Sequence, residues 1–235
     1  GDSEAMKYLL YALPLFAFVQ CATTGTRTAG GVVRNLAWAE GSIQTNYEPD
    51  RKVAQAKVSE AERTVNESSD IEDQLEYLSA LVAGGKSAET EVKIKKFLVT
   101  FPTEKRGVFI LAVHYMRNKK KELASHFFNQ LEQDKSFVWK SLLYNNLGML
   151  ALQEKNRRGA IEYFDKATKS EPPTAAPLVN LGALYLQSRS YKEANQLFER
   201  AIGIDDQMED AWLGLGASLE GQGKFEEAHN TYSRY

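Results

Sequence analysis

An all-α solenoid of about six stacked helix pairs is the fold this 235-residue sequence predicts, and three regularities predict it. Leu147-Gly148, Leu181-Gly182 and Leu215-Gly216 recur 34 residues apart. The same offset carries Ala160 to Ala194 to Ala228, Phe164 to Phe198 to Tyr232, and Ala167 to Ala201. Between these marks apolar residues return at helical spacing. A unit of this length cannot bury its own apolar face, so copies stack and share one continuous core.

The marks have a packing logic. A glycine lets the first helix of a pair approach the second, and the aromatic residue fills the space beside that contact. The glycines and aromatics are therefore read as structural. Tyr144-x-x-Leu147-Gly148 with Ala160, Phe164, Ala167 and Pro172 resembles the tetratricopeptide repeat, as does Leu178-x-x-Leu181-Gly182-x-x-Tyr185 with Ala194, Phe198 and Ala201. Trp212-x-x-Leu215-Gly216 opens a third regular copy. The resemblance implies a right-handed superhelix whose first helices line a concave, peptide-binding groove. Regular copies begin near 141, 175 and 209, and the last stops short, so a longer natural chain or a covered C-terminal face is expected.

Upstream, residues 1–5 precede Met6 and read as a cloning remnant. Residues 6–21 have the proportions of a signal peptide: Lys7, an apolar run from Tyr8 to Val19, then Gln20-Cys21. That run is too short to span a bilayer as a helix. A cysteine just after it resembles the lipobox of bacterial lipoproteins, which implies acylation of Cys21, although Gln20 stands where a small residue is usual. The other reading is an apolar helix packed on the first repeat. Residues 22–33 are small, polar and without periodicity, and read as a tether.

From residue 34 onward the helical pattern holds. Leu36 to Thr45 and Arg51 to Val65 make a first pair, with Asp50 as a candidate cap of its second helix. Asp70 to Val82 and Ala88 to Thr100 make another, broken at Gly84-Gly85, and Lys105 to Arg117 with Lys121 to Gln133 a third. These three are degenerate copies. The third lies 36 residues before the next, two more than the standard period.

The resemblance places the groove on Leu142, Asn145, Asn146, Met149, Leu152 and Gln153, then on Ala176, Val179, Asn180, Ala183, Leu186 and Gln187. Asn146 and Asn180 are equivalent, and an amide offers both donor and acceptor. A ladder holding a peptide backbone and a pair of amides meeting water or a nearby turn are both open readings; Gly214 ends the series. No cation stands at the positions of the family's carboxylate clamp, so the groove suits a segment of modest charge.

Other chemistry finds little footing. The net charge of −2 argues against duplex binding, which needs a basic face to neutralise phosphates, and no nucleic-acid partner is expected. His114, His126 and His229 have no acidic or cysteine partner at metal-ligand spacing, and neither a metal, a cofactor nor a catalytic residue is expected. Gly216 to Lys224 lacks the residues of a phosphate loop, and Lys119-Lys120-Lys121 reads as a solvated corner. The expectation is a non-enzymatic adaptor that binds another protein and is lipid-anchored at Cys21 in the bacterial outer membrane, facing the periplasm. In size and layout it is similar to pilotin lipoproteins of type IV pili, and nearly as much to repeat lipoproteins that serve barrel assembly, peptidoglycan turnover or gliding motility; no motif chooses among them. A soluble cytoplasmic scaffold or co-chaperone, or a subunit that self-associates through its C-terminal face, are the rivals.

Overall fold

The computed structural model describes residues 51–67, 70–85 and 87–234. The leader, Cys21, the tether, the first helix of the first pair and Asp50 lie outside the described residues. Eleven helices follow one another and no strand occurs among the described residues. They are α1 (Arg51–Glu67), α2 (Ile71–Ala83), α3 (Ser87–Thr100), α4 (Lys105–Arg117), α5 (Lys121–Gln133) and α6 (Lys140–Gln153). The regular copies supply the rest of α6/α7 (Arg157–Thr168), α8 (Ala175–Gln187) with α9 (Tyr191–Ile204), and α10 (Glu209–Gly221) with α11 (Phe225–Tyr232).

Each pair packs internally, and each second helix then packs on the first helix of the next pair: α3 on α4, α5 on α6, α7 on α8, α9 on α10. Helix α1 plays that part for α2. The first helices α2, α4, α6, α8 and α10 also touch in succession, which makes them one continuous layer. The predicted packing marks fall on these contacts. Ala124, Ala160, Ala194 and Ala228 are buried, and Phe128, Phe164 and Phe198 are fully enclosed. A Cβ added at Gly148 would lie 2.6 Å from the Phe164 ring, and one at Gly182 would lie 3.0 Å from Phe198. The first is closer than packed side chains approach and the second tighter than most, so the crossing at Gly148 requires glycine and that at Gly182 leaves almost no room for more.

The turns inside the pairs repeat one geometry. Gly85, Lys119, Lys155, Arg189 and Gly223 occupy equivalent places and all have positive φ, between 60° and 78°. The amide that follows closes a six-residue ring to the helix, Lys120 to the Tyr115 carbonyl and Asn156 to the Ala151 carbonyl, each at 2.9 Å. This is the glycine-favoured way to end a helix, and a side chain there costs about 1 kcal/mol. Three consecutive copies nonetheless carry Lys or Arg.

The two-residue excess before α6 has a clear use. The segment from 134 to 139 brings in Phe137 and Trp139, whose rings lie 5.9 and 5.8 Å from that of Phe109. Arg106 covers Trp139 at 5.7 Å and grips the carboxylates of Glu104 and Glu72, joining α2, α4 and this segment.

Candidate protein-binding face

The ten principal groove residues come from two neighbouring first helices, five from α6 and five from α8. The layer brings them together, and it also encloses most of them. Leu142, Met149, Val179, Ala183 and Leu186 are buried. Asn145, Asn146 and Asn180 are buried too, and their amides bond within the protein. Asn180 Nδ2 donates to Asn145 Oδ1 at 2.8 Å, tying α8 to α6, and Asn146 Nδ2 donates to the Leu142 carbonyl at 2.7 Å. Gln153 is half-buried and Gln187 exposed, with Arg157 donating to the Gln187 Oε1 at 2.7 Å.

The reachable part of the layer therefore lies toward the C-terminal ends of the first helices and along α10. Leu152 and Gln153 on α6, Gln187 on α8, and Leu213, Ala217 and Glu220 on α10 keep solvent contact. Apolar side chains and amides dominate it. Glu220 is the one carboxylate of these six, and burial raises its pKa while the Tyr232 hydroxyl hydrogen bond lowers it. Such a face suits backbone hydrogen bonding and apolar anchoring of a polypeptide.

Neighbouring copies are joined along the turn edge by the first residue of each second helix, or the one beside it. Lys121 donates to the Gln153 carbonyl at 3.1 Å; Arg157 donates to the Leu184 carbonyl at 2.5 Å and to Ser188 Oγ at 2.7 Å. Tyr191 lies under the end of α10, where a Cβ on Gly221 would come within 2.3 Å of its ring.

One cluster escaped the sequence reading. His114 is enclosed on α4 and its Nε2 lies 3.9 Å from Glu91 Oε2 on α3. Glu91 also takes hydrogen bonds from Lys95, Lys120 and the Tyr115 hydroxyl, at 2.7, 3.0 and 3.0 Å. Lys95 stands one helical turn from Glu91 and that pair was open to sequence reading, whereas His114, Tyr115 and Lys120 reach Glu91 from the next copy and share no local spacing with it. Those donors hold the Glu91 pKa down to about 2. Burial lowers the His114 pKa, with Glu91 opposing and Lys120, Arg117 and Lys95 assisting. Both shifts make acid destabilising. The His114 contribution is intact above the ordinary histidine pKa of about 6.5 and is lost as pH falls below it. The Glu91 contribution is intact above about 4.5 and is lost toward pH 2. Urea unfolding midpoints are expected to fall in two stages on acidification, and His114→Leu is expected to remove the first stage alone.

Among the described residues no three His, Cys, Asp or Glu side chains gather as a metal site, and no helix is long and apolar enough to cross a membrane.

Two tetratricopeptide-repeat families match the chain, one over residues 145–209 and the other over 185–235. Together the two matches run over residues 145–235. No curated protein matches. Solved structures of like fold include the Cut9–Hcn1 hetero-tetramer of the APC/C (14% identity, TM-score 0.56), covering 79% of this chain and 36% of that one, so the chain spans about a third of its length. PilF of Pseudomonas aeruginosa is similar at 18% identity and TM-score 0.55, over 79% of this chain and 76% of that one. MamA is similar at 20% identity and TM-score 0.52, over 71% and 92%. These likenesses extend the repeat architecture upstream of residue 145, where the marks are degenerate, and tetratricopeptide repeats of this kind serve as protein–protein interaction scaffolds.

Proposed function

We propose that this chain is a non-enzymatic adaptor that holds a segment of another envelope protein against the C-terminal part of its first-helix layer, tethered to the bacterial outer membrane by a lipid on Cys21. The observation that carries the binding role is the continuous layer of first helices, with apolar and amide side chains reachable at Leu152, Gln153, Gln187 and Leu213. A partner segment of modest charge suits it, since no lysine or arginine stands among those four. The anchor and the periplasmic setting rest on the order of Lys7, the apolar run, Cys21 and the tether in the sequence. The fold shared with PilF accords with the pilotin-like layout.

Photo-crosslinkers at Gln153 and Gln187 are expected to capture one partner in intact cells, while one at exposed Gln196 on the opposite helix layer does not. Equal capture from all three positions overturns the assigned face. Palmitate labelling that disappears in Cys21→Ala supports the anchor. Unaltered labelling, or a cytosolic pool retaining Met6, removes it in favour of a soluble scaffold.

A further inference from the structure

We propose that the turn edge of the array is a second interaction surface, one that binds an extended acidic polypeptide segment through Lys119, Lys155 and Arg189. These three residues occupy the same place in consecutive copies, and the first helices that precede them, α4, α6 and α8, pack side by side. All three are exposed, and none has an ion pair or hydrogen bond from its side chain among the described residues. Exposed Lys192, just past the third turn, is likewise without a carboxylate.

Cations near the opposite edge are engaged. Lys105 meets Asp134, Arg106 holds Glu104 and Glu72, Lys140 caps three carbonyls, and Lys169 meets Asp165. On the turn edge Lys120, Lys121 and Arg157 are engaged as well, so the unengaged positive charge there is that of Lys119, Lys155 and Arg189 with Lys192, in a chain of net charge −2. Each of the three also has φ of 60°, where Gly85 and Gly223 show the residue type that the backbone favours. A long cationic side chain at each is disfavoured by the backbone, and its repetition points to a use.

The geometry selects the occupant. Packed helices lie about 8–10 Å apart, so successive cations advance by about the length of three residues of extended chain. A solenoid edge also curves and twists, which a flexible segment follows and a flat bilayer does not. A polyproline-II-like segment has three residues per turn at about 3.1 Å each, so a carboxylate at every third residue lies on one face and meets each cation in turn. This surface adds to the scaffold reading; a crosslinker at Leu213, inside α10 and ten residues before its turn at Gly223, reports on that reading separately.

The test variant is Lys119→Gly with Lys155→Gly and Arg189→Gly, which removes the charge and relieves the backbone together. Binding of a fluorescein-labelled peptide of about six Glu-Ser-Ser triplets is followed by anisotropy, beside vesicles of phosphatidylglycerol. The whole chain is expected to bind the peptide, more weakly as salt rises from about 50 to 300 mM. The triple variant is expected to bind at least about tenfold more weakly with a Tm no lower than the parent's. Absence of binding by the parent, undiminished binding by the variant, or loss accompanied by a lower Tm overturns the proposal. Vesicle binding in preference to the peptide overturns the polypeptide as occupant and assigns the edge to a lipid surface.

Discussion

Phe198→Ala is expected to lower stability by about 3–5 kcal/mol, the range for emptying a fully enclosed aromatic site. Phe198 is 1% exposed and lies between two glycines of successive copies. A Cβ on Gly182 would stand 3.0 Å from its ring and one on Gly214 only 2.3 Å. The ring therefore seals the α8/α9 pair and the joint to α10 at once. Gly214→Ala alone is expected to cost about 1–3 kcal/mol by overpacking against a ring with nowhere to move. With the ring removed, the same methyl enters the vacated space. The double variant is expected to be more stable than the sum of the singles predicts by at least about 1 kcal/mol. Urea unfolding of all four proteins measures that coupling. Strict additivity would show that Phe198 does not press on α10.

The second large effect is expected at Lys140. Its ammonium donates to the carbonyls of Leu131, Glu132 and Asp134 at 2.9, 3.0 and 2.9 Å, the last turn of α5 and the residue that follows it. The Leu131 and Glu132 oxygens belong to the last turn, where no intrahelical donor follows, while the Asp134 oxygen also accepts from the Phe137 amide; the Lys140 side chain rests over Phe137 as well. Burial draws the Lys140 pKa below the ordinary lysine value, with Asp134 and Glu132 opposing. Lys140→Met keeps the stem and strips the donors, and is expected to cost about 2–4 kcal/mol. Lys155→Met, at an exposed site with no bonded partner, is expected to stay within about 0.5 kcal/mol of the parent. Thermal unfolding of the pair decides it, and equal Tm values would show the carbonyl cap to be inconsequential.

The architecture was readable in the regular copies because small and large residues there answer one another across a fixed crossing. Gly148 with Phe164 and Gly182 with Phe198 are such pairs, and each was visible as a periodic mark before any coordinate was known. In the earlier copies the roles persist under other residues. Thr90 stands in the alanine row, fully buried with an unpartnered hydroxyl, and Ile94 stands in the aromatic row. Composition blurs there while packing does not.

The candidate face was less legible. Asn145, Asn146 and Asn180 sit on first helices as expected, yet the side-by-side packing of α6 on α8 encloses them, and periodicity carries no record of how far neighbouring helices close up. Gly214 shows the same limit. It looked like the end of an amide series, and its size is set instead by Phe198 from the preceding copy. The grouping of Glu91 with His114 likewise depends on a joint between copies rather than on any motif within one.

The joints described along the turn edge all run between immediate neighbours: Lys121 to Gln153, Arg157 to Leu184, Tyr191 to Gly221. Wiring this local has a kinetic consequence. Little loop entropy must be overcome before a contact forms, so order can zip outward from any well-made hairpin while the chain is still emerging from the ribosome. Fraying at one extremity, by the same token, dies out within a copy or two and leaves the distant end intact.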